Sequence, residues 1–220
     1  MSLNQFLRWV LNAFELGAAC TGVYYWNKWK GTYWKWFTVF LFFIFITEII
    51  GKFSSVFGYV FNAGLYRYIN MPVYFIFQLW LLGKLFESNK KLSASWLFII
   101  AYTLLFLAEE FLLSKAFNKT WGLSSQVASL GILVLSMQYF IKLLKSDGIL
   151  LFKNDIQFWV STGLMGYVII MLPFRTLYAV IDVNVHQNLI LTYWNITFVF
   201  NYIMYTFFAL GFIWGKPKSS

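Results

Sequence analysis

Seven long apolar runs leave this chain few ways to fold. They cover residues 8–25, 34–50, 71–86, 94–113, 122–144, 156–178 and 189–214. Crossing the hydrocarbon core of a bilayer, about 30 Å, takes roughly 20 helical residues. No water reaches that layer, so each run must satisfy its backbone polar groups internally and reads as an α-helix. Charged residues make up 11% of the chain, against roughly 25% in soluble domains, too few to clothe a water-exposed globule. The expected fold is all-α: a polytopic integral membrane protein with seven transmembrane helices in one bundle. No Ser-, Pro- or Gly-rich linker divides it, so residues 1–220 read as a single domain. A cleaved leader is a poor reading of the start, because Glu15 interrupts the first apolar run and Arg8 is the single basic residue ahead of it. The third run opens with Pro72, a residue suited to a first helical turn.

Lysine and arginine set the expected orientation. Lys28, Lys30, Lys35, Lys84, Lys90, Lys91, Lys142, Lys145, Lys153, Lys216 and Lys218 fall on one side. Arg8, Lys52, Arg67, Lys115, Lys119 and Arg175 fall on the other. Eleven against six places the N-terminus outside and the C-terminus in the cytoplasm. The net charge of +9 is then a set of topogenic flanks beside anionic headgroups, and no nucleic-acid partner is expected. Tyr24, Tyr25, Trp26, Trp29, Tyr33, Trp34 and Trp36 crowd the first inner connection and read as an interfacial belt. The outer segment 52–70 is rich in aromatics and is expected to lie on the membrane or fold back over the bundle. The Lys/Asn/Phe/Ile-rich character suits a bacterial cytoplasmic (inner) membrane.

Ionisable groups inside a membrane are costly and mark functional sites. With this topology Glu15 lies near the middle of the first helix and Glu48 in the outer third of the second. Tyr74 and Gln78 are one turn apart in the third; Glu109 and Glu110 lie in the outer third of the fourth. Arg175 follows Pro173 near the outer end of the sixth, Asp182 and His186 fall in the last outer connection, and Asn195 and Asn201 are in the seventh. These eleven residues are the candidate ligand-binding set. Glu15 shares a face with Asn12, Ala19 and Gly22, a face that lets another helix approach closely. Arg175 is expected to pair with Glu48, Glu109 or Glu110, and the set is expected to line an outward-open cavity. Packing readings stand beside these: Glu48 with Lys52 on its own helix, and Ser125, Ser129 and Ser136 as a seam on the fifth.

Several chemistries are excluded. One cysteine, Cys20, forms no intrachain bridge, and a single histidine, His186, rules out a three-histidine zinc site. The last run holds no lysine for a retinal Schiff base. There is no Gly-rich phosphate loop, Gly-x-Ser-x-Gly elbow or HExxH. No catalytic set and no cofactor is expected. The favoured reading is a receptor-like sensor that binds a small-molecule or lipid ligand among its outer polar groups and signals through a separate cytoplasmic partner. The alternatives are a transporter or subunit of a membrane complex, and an intramembrane enzyme on lipid headgroups using Glu48, Glu109, Glu110, Asp182 and His186.

Overall fold

The computed structural model describes residues 3–53, 64–84, 94–112, 122–180 and 187–217. Every regular element among them is helical. The long helices are α1 (Leu3–Tyr24), α2 (Trp34–Lys52), α3 (Met71–Gly83), α4 (Ala94–Leu112), α5 (Leu123–Leu144), α6 (Ile156–Val180) and α7 (Gln187–Trp214). Five of them, α2, α4, α5, α6 and α7, hold stretches long and apolar enough to cross a membrane. α1 carries Gln5, Arg8, Asn12 and Glu15, and α3 is 13 residues long. The interior and exterior are also those of a membrane protein. Asn12, Glu15, Gln78, Ser129, Ser136 and Ser161 are buried, while Leu97, Leu104, Phe111, Leu130 and Ile141 point outward.

Consecutive helices pack side by side, and α7 returns to α1 to close the ring. Neighbours run antiparallel: Thr47 of α2 meets Asn70 at the start of α3, and Phe40 of α2 stacks on Phe77 with centroids 4.3 Å apart. Seven helices make α1 and α7 parallel, and the Phe14–Tyr202 stack at 5.1 Å marks their seam. Near its other end Gly22 makes the approach possible. A Cβ there would stand 2.6 Å from Thr38 Oγ1 and 3.2 Å from Phe212. Phe37 of α2 fills the middle, edge-on to Phe208 at 5.0 Å and stacked with Phe212 at 5.6 Å.

Three local features add to the sequence expectation. Pro72 stands in the first turn of α3, as expected, but the helical path does not begin there. The chain is already helical at Gly64 and passes through a π-helical turn, Leu65–Asn70, in which the Met71 amide bonds to the Tyr66 carbonyl five residues back. Proline lacks an amide hydrogen and clashes with the carbonyl four residues earlier, and the widened turn relieves both. The rest of that outer segment, 54–63, lies outside the described residues. Second, Pro173 lies inside α6, which stays helical to Val180. Third, the aromatic belt is split. Tyr24 and Trp36 are exposed, but Trp29 and Trp34 belong to the core. Trp29 ends a short helix, Trp26–Trp29, whose Lys28 donates from Nζ to the carbonyls of Phe212 (3.1 Å) and Ile213 (3.0 Å). That lysine caps the last turn of α7, where the helix dipole favours a cation. Burial, and secondarily the charge of Lys216, hold its pKa below the ordinary lysine value.

Candidate functional site

Two polar groups flank the π turn, at the end of the ring where α1 begins and α2 finishes. The first centres on Glu15, which is 2% exposed. Its Oε2 accepts from Asn12 Nδ2 at 2.9 Å, one turn back on the same face of α1. The Asn12 carbonyl oxygen in turn accepts from Lys52 Nζ, which also bonds to the Arg8 carbonyl at 2.9 Å and lies 4.1 Å over the Trp9 ring. The amide therefore relays a cation on α2 to a carboxylate on α1. From α7, the Tyr205 hydroxyl donates to Glu15. Glu48, partly buried on α2, lies within electrostatic reach of Glu15 and accepts from the Tyr66 hydroxyl of the π turn. Tyr205 also lies within electrostatic reach of Tyr74 and Tyr167, so six elements, the π turn among them, contribute to one neighbourhood.

The second group is built on α4. Consecutive residues of a helix point about 100° apart, and Glu109 and Glu110 accordingly part company. Glu109 is buried and faces the start of α5. Its carboxylate accepts from the Ser124 amide at 2.8 Å and the Ser124 hydroxyl at 2.7 Å. That is an anion on the free N–H groups of a helix start, supplied by a neighbouring helix. Gly122 must be small here, because a Cβ would overlap the Glu109 carboxylate. Glu110 faces the π turn, where it pairs with Arg67 and accepts from the Tyr68 hydroxyl at 2.8 Å. The hydrogen bond to Glu110 is the main cause raising the Tyr68 pKa above the usual tyrosine value. A cavity of about 10 Å³ lies between Arg67, Tyr102, Glu109 and Ser125, room for about one water.

The other candidates scatter. Gln78 is 1% exposed, and neither its amide nitrogen nor its oxygen has a hydrogen-bond partner among the described residues. Asn195 Oδ1 is likewise buried and unpartnered. Asn201 turns back on α7 and donates to the Thr197 carbonyl at 3.0 Å. The side chain of Arg175 and all of Asp182 and His186 lie outside the described residues. Glu110, one of the acids expected to meet Arg175, has Arg67 as its ion-pair partner. On α5, Ser125 and Ser129 bond to carbonyls of their own chain, as a packing seam would, while Ser136 is buried without a partner.

Sequence reasoning missed Asn12 as a relay, Lys52 as a distant cation, and Tyr66, Arg67 and Tyr205 as partners. The signal for the π-turn residues was Pro72: it closely follows Tyr66-Arg67-Tyr68-Ile69-Asn70, a segment with no glycine or proline of its own to end a helix begun at Gly64. Among the described residues no group of three or more His, Cys, Asp or Glu side chains is placed to hold a metal. No family model matches the chain, and neither a curated protein nor a solved structure proves similar to it.

Proposed function

We propose that this protein is a ligand sensor of the bacterial cytoplasmic membrane, with seven transmembrane helices, its N-terminus outside and its C-terminus in the cytoplasm. It takes its ligand among the polar groups in the outer half of the bundle and reports to a separate cytoplasmic partner. One observation carries this reading: Glu15, a carboxylate buried mid-helix, with its immediate polar partners drawn from α1 and α7 and a cation relayed from α2. A carboxylate in hydrocarbon is expensive, and one packing contact does not need three helices to orient it. A ligand that alters these bonds would change how α1 and α2 sit against α7, and Lys28 links the α1–α2 connection to the inner end of α7. That supplies a mechanical route from the outer half to the cytoplasmic face.

The test places a photo-crosslinking amino acid at Phe152, in the connection between α5 and α6, in living cells. A sensor crosslinks to one cytoplasmic protein, with a yield that changes in Glu15→Gln. Absence of a crosslink, or a yield indifferent to Glu15→Gln, rejects the sensor. Transport is the second reading. It is favoured by Ser136 and Ser161, buried hydroxyls without partners on the way to the inner end, and it requires Glu15-dependent solute movement in proteoliposomes.

A further inference from the structure

α5 and α6 each hold a stretch long and apolar enough to cross a membrane, Leu123–Leu144 and Ile156–Phe174. The connection between them, residues 145–155, therefore sits at a membrane–water boundary whichever way the bundle is oriented. Most of it is a short 3-10 helix, Asp147–Asn154, whose backbone leaves helical angles at Leu151 (φ −117°, ψ 19°). Its second half is pinned to the bundle. Phe152 packs edge-on to Phe158 of α6 with centroids 4.6 Å apart. The Trp159 indole donates to the Lys153 carbonyl at 2.9 Å, and the Lys216 amide donates to the Asn154 carbonyl at 2.7 Å. Leu150 and Leu151 stay outside that anchorage, 86% and 64% exposed. They follow in the chain on the outward stripe of α5, in which Leu130, Met137, Ile141 and Leu144 recur at helical spacing. A fixed connection that holds two leucines clear of the bundle presents apolar surface for something to cover.

Charge says what covers it. Lys142 in the last turn of α5, Lys145 just after it, Lys153 in the connection and Lys216 beside Asn154 are all exposed. Asp155 is turned to its neighbours: Oδ1 accepts from the Gln157 amide at 3.1 Å and Oδ2 from the Tyr139 hydroxyl at 3.2 Å. Four lysines against Asp147 and Asp155 leave the surroundings of the leucines net positive. Leucines flanked by lysines at a bilayer boundary match the layering of a leaflet, with acyl chains beneath phosphates and a lysine stem long enough to join the two levels. We propose that this connection is a binding edge for anionic phospholipid: Leu150 and Leu151 enter the leaflet, and Lys145, Lys153 and Lys216 hold the phosphate headgroups beside them. It takes phosphatidylglycerol in preference to phosphatidylcholine, whose own cation cancels the attraction of each ammonium.

The experiment uses the full chain in phosphatidylcholine nanodiscs, with Leu150→Cys carrying a small environment-sensitive fluorophore in a Cys20→Ser background. Iodide in the water and trace spin-labelled lipid in the disc serve as quenchers. The dye should be shielded from iodide, and spin-labelled phosphatidylglycerol should associate about fivefold more strongly than spin-labelled phosphatidylcholine, the factor for roughly one lysine at an anionic surface. Lys145→Gln, Lys153→Gln and Lys216→Gln together should bring that ratio to about one, and Glu110→Gln should leave it unchanged. A dye as open to iodide as the free dye places the leucines in water, where they would suit a protein partner, and overturns the lipid edge. A shielded dye that both lipids quench equally overturns it too, as does a preference that the triple variant keeps. Should the triple variant fail to fold, salt decides with the lysines in place. The preference must shrink as salt rises to about 1 M, where charges are screened within about 3 Å, and a preference indifferent to salt rejects headgroup binding. Neither a partner nor a change at Glu15 enters the measurement, so its failure leaves the sensing reading to its own test.

Discussion

At the scale of single residues, the two adjacent glutamates of α4 show how little a shared name says about a role. Glu109 caps a neighbouring helix from a buried position, and Glu110 joins a partly buried pair with Arg67. Glu109→Ala should therefore cost about 1–2 kcal/mol, the range for a lost N-cap and its charge–dipole term. Glu110→Ala should cost about 1 kcal/mol, the upper end for exposed pairs, because this pair is partly buried. Gly122→Ala should be at least as damaging as Glu109→Ala, since the added methyl overlaps the cap itself. Thermal unfolding of the three variants ranks them, and a Gly122→Ala protein as stable as wild type would remove the cap from consideration. Tyr68 supplies a pH test. Its raised pKa means that the folded state holds the phenolic proton more tightly than the unfolded chain does. Its contribution is complete below the ordinary value near pH 10 and is lost as pH climbs beyond it. The stability margin of wild type over Tyr68→Phe should thus be flat at neutral pH and shrink above about pH 10. A margin that widens there would contradict the Glu110 bond. None of these divergent roles was legible from the pair Glu109-Glu110 alone, because a periodicity assigns a face only when the helix's neighbours are known. Glu15 was more legible. A lone acid beside Asn12 and two small residues announces a buried, close-packed face, and α1 has one.

At the scale of elements, most helices were readable to within a few residues because apolar length is a physical requirement of the bilayer, whereas α1 starts five residues before its apolar run. α2 and α5 begin within a residue of where the apolar runs do. What escaped was the π turn, since Pro72 carries the same signal whether it starts a helix or forces one to widen. Pro72→Ala should let the segment 65–71 relax toward an ordinary α-helix and rotate Tyr66 and Arg67 away from Glu48 and Glu110. Hydrogen exchange should then show faster exchange in the first turn of α5, because the Arg67 side of the small cavity next to Glu109 is lost. Unchanged protection at Ser124 would show that the turn does not depend on the proline. Lys28 is a second element-scale device that composition conceals. It lies 184 residues from the carbonyl it caps. Lys28→Met should fray the last turn of α7 and cost about 0.5–1 kcal/mol, visible as faster exchange of the α7 C-terminal amides. Equal protection in the variant would mean that the aromatic packing of Phe212 suffices.

At the scale of the whole molecule, the ring of helices accounts for the distribution of polarity: buried hydroxyls, amides and acids share the interior with an aromatic and aliphatic core, and the outside is apolar as well. That follows once lipid replaces water as solvent, and it was legible from composition. The closure of the ring by α1 against α7 was not, because nothing in a linear pattern says which nonadjacent runs will meet. The proposed orientation is checked by a C-terminal reporter pair, an enzyme active in the cytoplasm and one active outside. Activity should appear with the cytoplasmic reporter, and activity of the external reporter alone would reverse the topology. Cys20 offers an internal control. It is exposed on α1, at a depth where a membrane-permeant thiol reagent should label it and an impermeant one should not.

The seam between α1 and α7 also sets an order of assembly. α1 leaves the ribosome well before α7, which supplies the Tyr205 hydroxyl that bonds Glu15 and the carbonyls that receive Lys28. Until α7 is synthesised, α1 is a weakly apolar helix carrying an acid with half its partners missing. A nascent chain stalled after α6 should therefore hold its first helix loosely, close to the insertion machinery and open to quality-control proteases. Extending the chain through residue 214 should release it from both.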